Sequence, residues 1–158
     1  MSEKLKKKDV ELLQLVTFSI GGEEFGVDIL KVQEIIRMLD ITRVPKATEF
    51  VEGVINLRGK VIPIIDLRKR FGLASKGHDK NTRIIVIDIN DMIVGFIVGS
   101  VSEVLRIPAD TVEPPSPVVA GLDSEYISGV GKLDDRLLIF LDLDRLLSQE
   151  ERDVLSQV

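Results

Sequence analysis

The chain has 158 residues, with 21 Lys and Arg against 26 Asp and Glu (net charge −5), 44% hydrophobic residues, 4% aromatics and no Cys. One domain of this size buries roughly 68–70% of its unfolded surface and needs no disulfide or metal staple. The acidic balance and scarce aromatics argue against nucleic-acid binding, and the missing Cys excludes thiolate chemistry and Cys-based zinc sites.

The N-terminal stretch MSEKLKKKDVELL carries Lys4, Lys6, Lys7 and Lys8 and lacks the apolar core of a signal peptide. Residues 1–14 read as a flexible, solvated tail. No apolar run approaches the ~18–20 residues of a membrane span, which predicts a cytoplasmic protein without direct membrane insertion.

Beyond the tail the patterns are those of strands. VTFSI and EEFGVDI flank Gly21-Gly22, a hairpin turn signal, and alternation sets Val16, Phe18 and Ile20 on one face with Thr17 and Ser19 opposite. The segment VQEIIRMLDITRVP offers Val32, Ile35, Ile36, Met38, Leu39 and Ile41, read mostly as core. A strand such as KVQEIIRM leaving one barrel to line the seam with another would form a groove for an amphipathic helix. Thr48–Val51 reads as one helical turn.

KVIPIID is a dense apolar run, as in strands buried on both faces, and Pro63 within it requires an edge or bulge. Leu67–Leu73 reads as a short helix stopped by Gly72, and LASKGHDKNT as a loop. IIVIDI and MIVGFIV flank Asn90-Asp91, a second hairpin; VEPPSPVVAGLDS, with three prolines, is extended or loop. RLLIFLD repeats the KVIPIID pattern, and Asp144 to about Leu155 forms the longest helix.

These elements repeat. FGVDILKVQEIIR (25–37) lies over VGFIVGSVSEVLR (94–106) at an offset of 69, aligning Gly26 with Gly95, Val32 with Val101, Glu34 with Glu103 and Arg37 with Arg106. GVINLRGKVIPIIDLRKRF (53–71) lies over GVGKLDDRLLIFLDLDRLL (129–147) at an offset of 76. The expected fold is all-β with short helices and a C-terminal helix at 148–158. It comprises two small barrels of about 15–71 and 83–147, related by a pseudo-twofold and joined by linker 72–82.

Catalysis needs groups that transfer protons or attack. The single His78 sits in the linker and reads as a solvated loop residue; no nucleophile elbow, P-loop or dinucleotide fingerprint occurs. Asp66 and Asp142 hold equivalent places in both repeats, which favours a structural role such as capping the helix that follows. Gly53, Gly59, Gly129 and Gly131 bracket hairpin loops and read as turn residues. By the same repeat logic Glu34 and Glu103 are matched structural residues. The copies differ at the hairpin tip, where the first reads NLRGK and the second KLDDR, so Arg58 is a candidate for a fixed contact to a carboxylate. None of this predicts an enzyme, a metal or a cofactor.

The runs FGVDILKVQEIIR, VPKATEFVEGVINLRGKVIPIIDLRKRFGL and YISGVGKLDDRLLIFLDLDRLL, in this order, closely resemble the CheW family of chemotaxis coupling proteins across about Leu15 to Leu147. The resemblance implies two five-stranded SH3-like barrels around a hydrophobic seam. It implies an adaptor that bridges the cytoplasmic tip of methyl-accepting chemoreceptors and the regulatory domain of the histidine kinase CheA, so that receptors control autophosphorylation. A paralogous adaptor of a non-flagellar chemosensory array is the alternative. Carried over by motif, Val32, Glu34 and Ile36 face the receptor. Arg58 and Gly59, with Ile41 and Val44, contact the kinase or brace that surface, and Gly53 and Gly129 hold turn positions. For Glu34 the resemblance and the repeat logic conflict, and the family reading is preferred because only one copy of a strand can face a given partner.

Overall fold

Among the described residues, three hairpins turn on two-residue loops in which both residues have positive φ: Gly21-Gly22, Arg58-Gly59 and Asn90-Asp91. Such loops match the twist of the flanking strands, and Gly, Asn and Asp tolerate the conformation best. Arg58, with φ 51°, adopts it against its own preference, and Asn56 Oδ1 steadies the turn by accepting from the Gly59 N–H at 2.9 Å.

The computed structural model describes residues 11–44, 51–71, 79–114, 126–133 and 136–156. The tail 1–10, Thr48–Phe50, Gly72, His78, most of the proline-rich stretch and Asp134-Asp135 lie outside them. In order come β1 (Leu12–Ile20), β2 (Glu23–Asp28), a 3-10 turn (Ile29–Lys31), β3 (Val32–Arg37), β4 (Val51–Leu57), β5 (Lys60–Asp66) and α1 (Leu67–Arg70). The second half holds β6 (Arg83–Ile89), β7 (Met92–Val98), β8 (Ser100–Pro108), a 3-10 turn (Ala109–Thr111), β9 (Val112–Glu113), β10 (Ile127–Leu133) and β11 (Arg136–Leu141). A 3-10 turn (Leu143–Arg145) and α2 (Gln149–Ser156) finish the described chain. The predicted C-terminal helix is thus shorter, its first turn split off as 3-10.

The strands do not sort by repeat. One sheet runs β8-β1-β2-β11-β10-β9 and the other β3-β6-β7-β5-β4. Replacing each strand by its repeat equivalent converts β8-β1-β2-β11-β10 into β3-β6-β7-β5-β4, so the two SH3-like barrels are pseudo-twofold copies. Each takes its first hairpin from one repeat and its remaining strands from the other, which corrects the expectation of one barrel per repeat. The physical reason is the single 3-10 turn after β2. It carries β3 away from its own hairpin to pair antiparallel with β6, while β8 returns to pair with β1. The exchange buries the hairpin strands on both faces. Ile84 and Val86 of β6 point into one barrel, whereas Ile85, Ile87 and Ile89 join the seam core with Val16, Phe18, Phe25 and Phe96. Each such side chain contributes about 1.5–3 kcal/mol.

β8 and β9 are successive segments of one bent chain that pairs with β1 at one end and β10 at the other, which closes the first barrel. The other closes by a bridge between Thr42 and Val54. Both closures cross a strand at a glycine. A Cβ on Gly53 (φ +150°) would strike the Thr42 carbonyl oxygen and lie 2.8 Å from Ile41 Cγ2; one on Gly129 would strike Val112 Cγ1 and lie 3.0 Å from the Glu113 oxygen. Gly53 and Gly129 therefore lie within β4 and β10, at register shifts where the closing segment passes, and not in turns. Gly131 is likewise a strand residue, under the Phe140 ring. Pro63 sits one residue before the parallel pairing of β5 with β7 begins at Ile64, where its missing N–H costs no ladder bond.

Candidate functional site

Pairing of β3 with β6 slips between Val32 and Glu34, so the strand changes the face it presents. Val32 packs against the seam core, whereas Ile36, with Met38 and Ile41, packs against the interior of the second barrel. Of the six apolar residues of 32–41 expected mostly in the core, four pack against one of the two cores. None of the six is fully buried, and Ile35 and Leu39 are exposed. Their strand is a barrel rim, with seam or interior on one side only. Val32, Glu34 and Ile36 thus point to the seam, to a hairpin tip and into a barrel, respectively.

Glu34 meets Arg58. The β4–β5 turn projects Arg58 so that its Nη2 donates to Glu34 Oε1 at 2.6 Å, a single contact. The Arg58 side chain is 70% exposed and that of Glu34 29%, so the guanidinium retains most of its surface for a further acceptor. A Cβ on Gly59 would meet open space. Gln33, Leu57, Lys60 and Ile62 line a hollow of about 170 Å³ beside the pair. The structure brings Glu34, Arg58 and Gly59 together, across the division between receptor-facing and kinase-facing residues. Ile41 and Val44 are half-buried and belong to the barrel-closing segment; Ile41 lines a different hollow with Met38, Leu39 and Arg43.

The pseudo-equivalent place carries the same device in different residues. Glu103 accepts from Arg136 Nη2 at 3.0 Å, and Arg136 also reaches Glu24 at 3.3 Å. The cation comes from the first residue of β11 instead of the tip. Reading Glu34 and Glu103 as matched structural residues and reading Glu34 as a surface contact are therefore compatible. The repeat offset supplied the signal, because 60 and 136 align as Lys and Arg.

Asp66 caps α1: its Oδ1 accepts from the Arg68 N–H at 2.9 Å, and both carboxylate oxygens take the Arg68 guanidinium at 3.3 Å. Asp142 caps the 3-10 turn Leu143–Arg145 by accepting from the Asp144 N–H at 3.1 Å. Among the described residues no His, Asp and Glu cluster could hold a metal ion, and no helix is long and apolar enough to cross a membrane.

The sequence reading missed a groove. Leu12, Leu13 and Leu15 of β1, Ile29 and Leu30 of the 3-10 turn, and Phe140 of β11 line about 300 Å³ of open space. Leu30 is 88% exposed and Leu12 56%. An exposed leucine on each rim is a poor arrangement for a surface facing only water, and Asp28 and Glu11 add acidic rim groups. The sequence alone assigned Leu30, between two strand segments, no role. The 3-10 turn, capped by Asp28 Oδ1 accepting from the Leu30 N–H at 2.9 Å, is what swings it outward.

Comparison with known proteins fits this architecture. A family model described as CheW-like domain matches residues 14–151, which takes in the start of α2. The chain is 41% identical to the chemotaxis protein CheW of Klebsiella aerogenes over 145 residues, covering 92% of this chain and 87% of that protein. It is 36% identical to the chemotaxis protein CheW of Treponema pallidum over 152 residues, covering 94% and 89%. The crystal structure of scaffolding protein TtCheW from Thermoanaerobacter tengcongensis superposes with a TM-score of 0.81 at 41% identity, covering 87% of this chain and 89% of that one. With the family model spanning nearly all of both barrels, the chain belongs to the CheW family of chemotaxis adaptor and scaffold proteins.

Proposed function

We propose that the chain couples chemoreceptors to the histidine kinase CheA by holding one partner on each of two faces. The receptor side is the groove between Leu12 and Leu30, which suits the apolar stripe of a helix from the receptor's cytoplasmic tip. The kinase side is the outer face of the second barrel at the Glu34–Arg58 pair, where Ile35 and Val61 are exposed; Glu34, which the resemblance sets against the receptor, belongs to the kinase side in this reading. The kinase partner is its regulatory domain, and the assembly forms at the cytoplasmic face of the membrane, where receptor arrays are.

The observation that carries this reading is that one short segment joins the two faces. Leu30 forms the groove rim, Val32 packs on the seam, and Glu34 meets Arg58, all within five residues. Two weak sites on one rigid body raise the effective concentration of each partner for the other, with no chemical step. Receptor state changes kinase activity only if the contacts differ in energy between states.

Titrating the chain with a receptor hairpin fragment and, separately, with the kinase regulatory domain tests the reading. Both should bind independently, and Leu30→Asp should remove the first interaction and spare the second. Loss of both, or of neither, would overturn the assignment of faces.

A further inference from the structure

We infer that the C-terminal helix α2 is a positioning element for the docking groove, acting through Arg152, Asp144 and Lys31. The inference rests on the assignment of that groove to the receptor. The groove rim formed by the turn Ile29–Lys31 contains no fully buried residue, and within it Ile29 alone packs, half-buried, on the seam core. Besides the Val32 N–H donating to the Ile29 carbonyl oxygen, two side-chain contacts hold the rim: the Asp28 cap, and Lys31 Nζ against Asp144 Oδ2 at 3.6 Å.

Asp144 is itself held from behind. It lies in the 3-10 turn that follows the groove residue Leu141, and its carbonyl oxygen accepts from Arg152 Nη2 of α2. Asp144 Oδ1 and Arg152 Nε are buried without a hydrogen bond among the described residues, so few bonds hold this junction and each one counts.

α2 is well anchored for such a task. Ser148 and Glu151 form a capping box: the Ser148 N–H donates to Glu151 Oε1 at 2.9 Å and the Glu151 N–H to Ser148 Oγ at 3.1 Å. Glu151 also takes Arg70 Nη2 at 2.8 Å, which ties α2 to α1. Leu155 is buried in the same seam core as Leu146 and Leu147, against which Ile29 and Val32 pack. The path from helix to groove is therefore polar through Asp144 and apolar through the seam.

The test compares Lys31→Ala, Asp144→Asn and the double variant, titrated with the receptor hairpin fragment and with the kinase regulatory domain. Each single change should weaken receptor binding about two- to five-fold, as for an exposed ion pair, and the double change no more than the stronger single one. Kinase binding and thermal stability should not move. In the free protein, amide hydrogen exchange over residues 29–34 should speed up in these variants and in Arg152→Gln. Unchanged exchange there, or a parallel fall in both affinities, would overturn the inference. If the unaltered chain bound no receptor fragment, the groove assignment would fail, while the exchange result would still decide whether α2 positions the turn.

Discussion

Replacing Gly53 by Ala attacks the closure of one barrel at a single atom. The added Cβ would strike the Thr42 carbonyl oxygen, with Ile41 Cγ2 at 2.8 Å, and the backbone φ of +150° is itself unfavourable to any side chain. A residue forced into such a region costs about 1–3 kcal/mol. Relieving the clash means moving Thr42 away from β4, which breaks the hydrogen bonds Thr42 N–H to Val54 O (2.9 Å) and Val54 N–H to Thr42 O (2.8 Å). Each contributes about 0.5–1.5 kcal/mol net. The sum is about 2–6 kcal/mol, or a fall of about 4–24 °C in Tm for a domain of this size. Gly129→Ala, whose nearest obstacle is a Val112 methyl group, should cost less, about 1–2 kcal/mol. Gly59→Ala, with open space around it and only its φ of +86° to resist, should cost about 1 kcal/mol. The chain has no Trp and one Tyr, so thermal unfolding is best followed by far-ultraviolet circular dichroism. A Gly53→Ala protein melting within 2 °C of the parent, or a reversed order of Gly53 and Gly129, would refute the reasoning.

Three further outcomes follow from the geometry. Asp66→Ala removes a cap and two bonds to a buried guanidinium and should cost about 2–3 kcal/mol in urea unfolding, against about 1 kcal/mol for Asp142→Ala, whose carboxylate is more exposed. The Glu34–Arg58 pair is too exposed to matter much for folding: a double-mutant cycle with Ala should give a stability coupling below about 1 kcal/mol, while Arg58→Ala weakens kinase binding measured by titration. Leu30→Asp should leave Tm unchanged because the side chain is 88% exposed, and abolish capture of the receptor fragment in a pull-down.

The all-β class, the hairpins at Gly21-Gly22 and Asn90-Asp91 and the doubled barrel were all legible, because alternation and turn chemistry are local and the repeat is written along the chain. The route of the chain between barrels was legible only in part. That KVQEIIRM would leave its own barrel was anticipated, but not that it pairs with β6 nor that β8 makes the reciprocal crossing to β1; the long-range burial of Ile85 and Ile87 on a second face decides these. The roles of Gly53 and Gly129 were misread for a related reason. Their neighbours in sequence are hairpin strands, but the atoms that forbid a side chain belong to Thr42 and Val112. At the candidate site, Arg58 and Glu34 were named separately, and only the bulge at Gln33 shows how they meet. Leu30 escaped notice because apolar patterning marks which residues avoid water and not which one a 3-10 turn pushes into it. Ser148 and Glu151 did carry a readable signal, the capping-box spacing.

The central claim is that this chain makes the kinase answer to the receptor. The direct test is autophosphorylation of CheA measured with receptor-bearing membranes, with and without the chain, and with Leu30→Asp and Arg58→Ala in its place. The account predicts a rise in phosphorylation only when all three components are present, reversal by attractant, and loss of the rise in both variants. Receptor control that persists without the chain, or full activity of both variants, would contradict it.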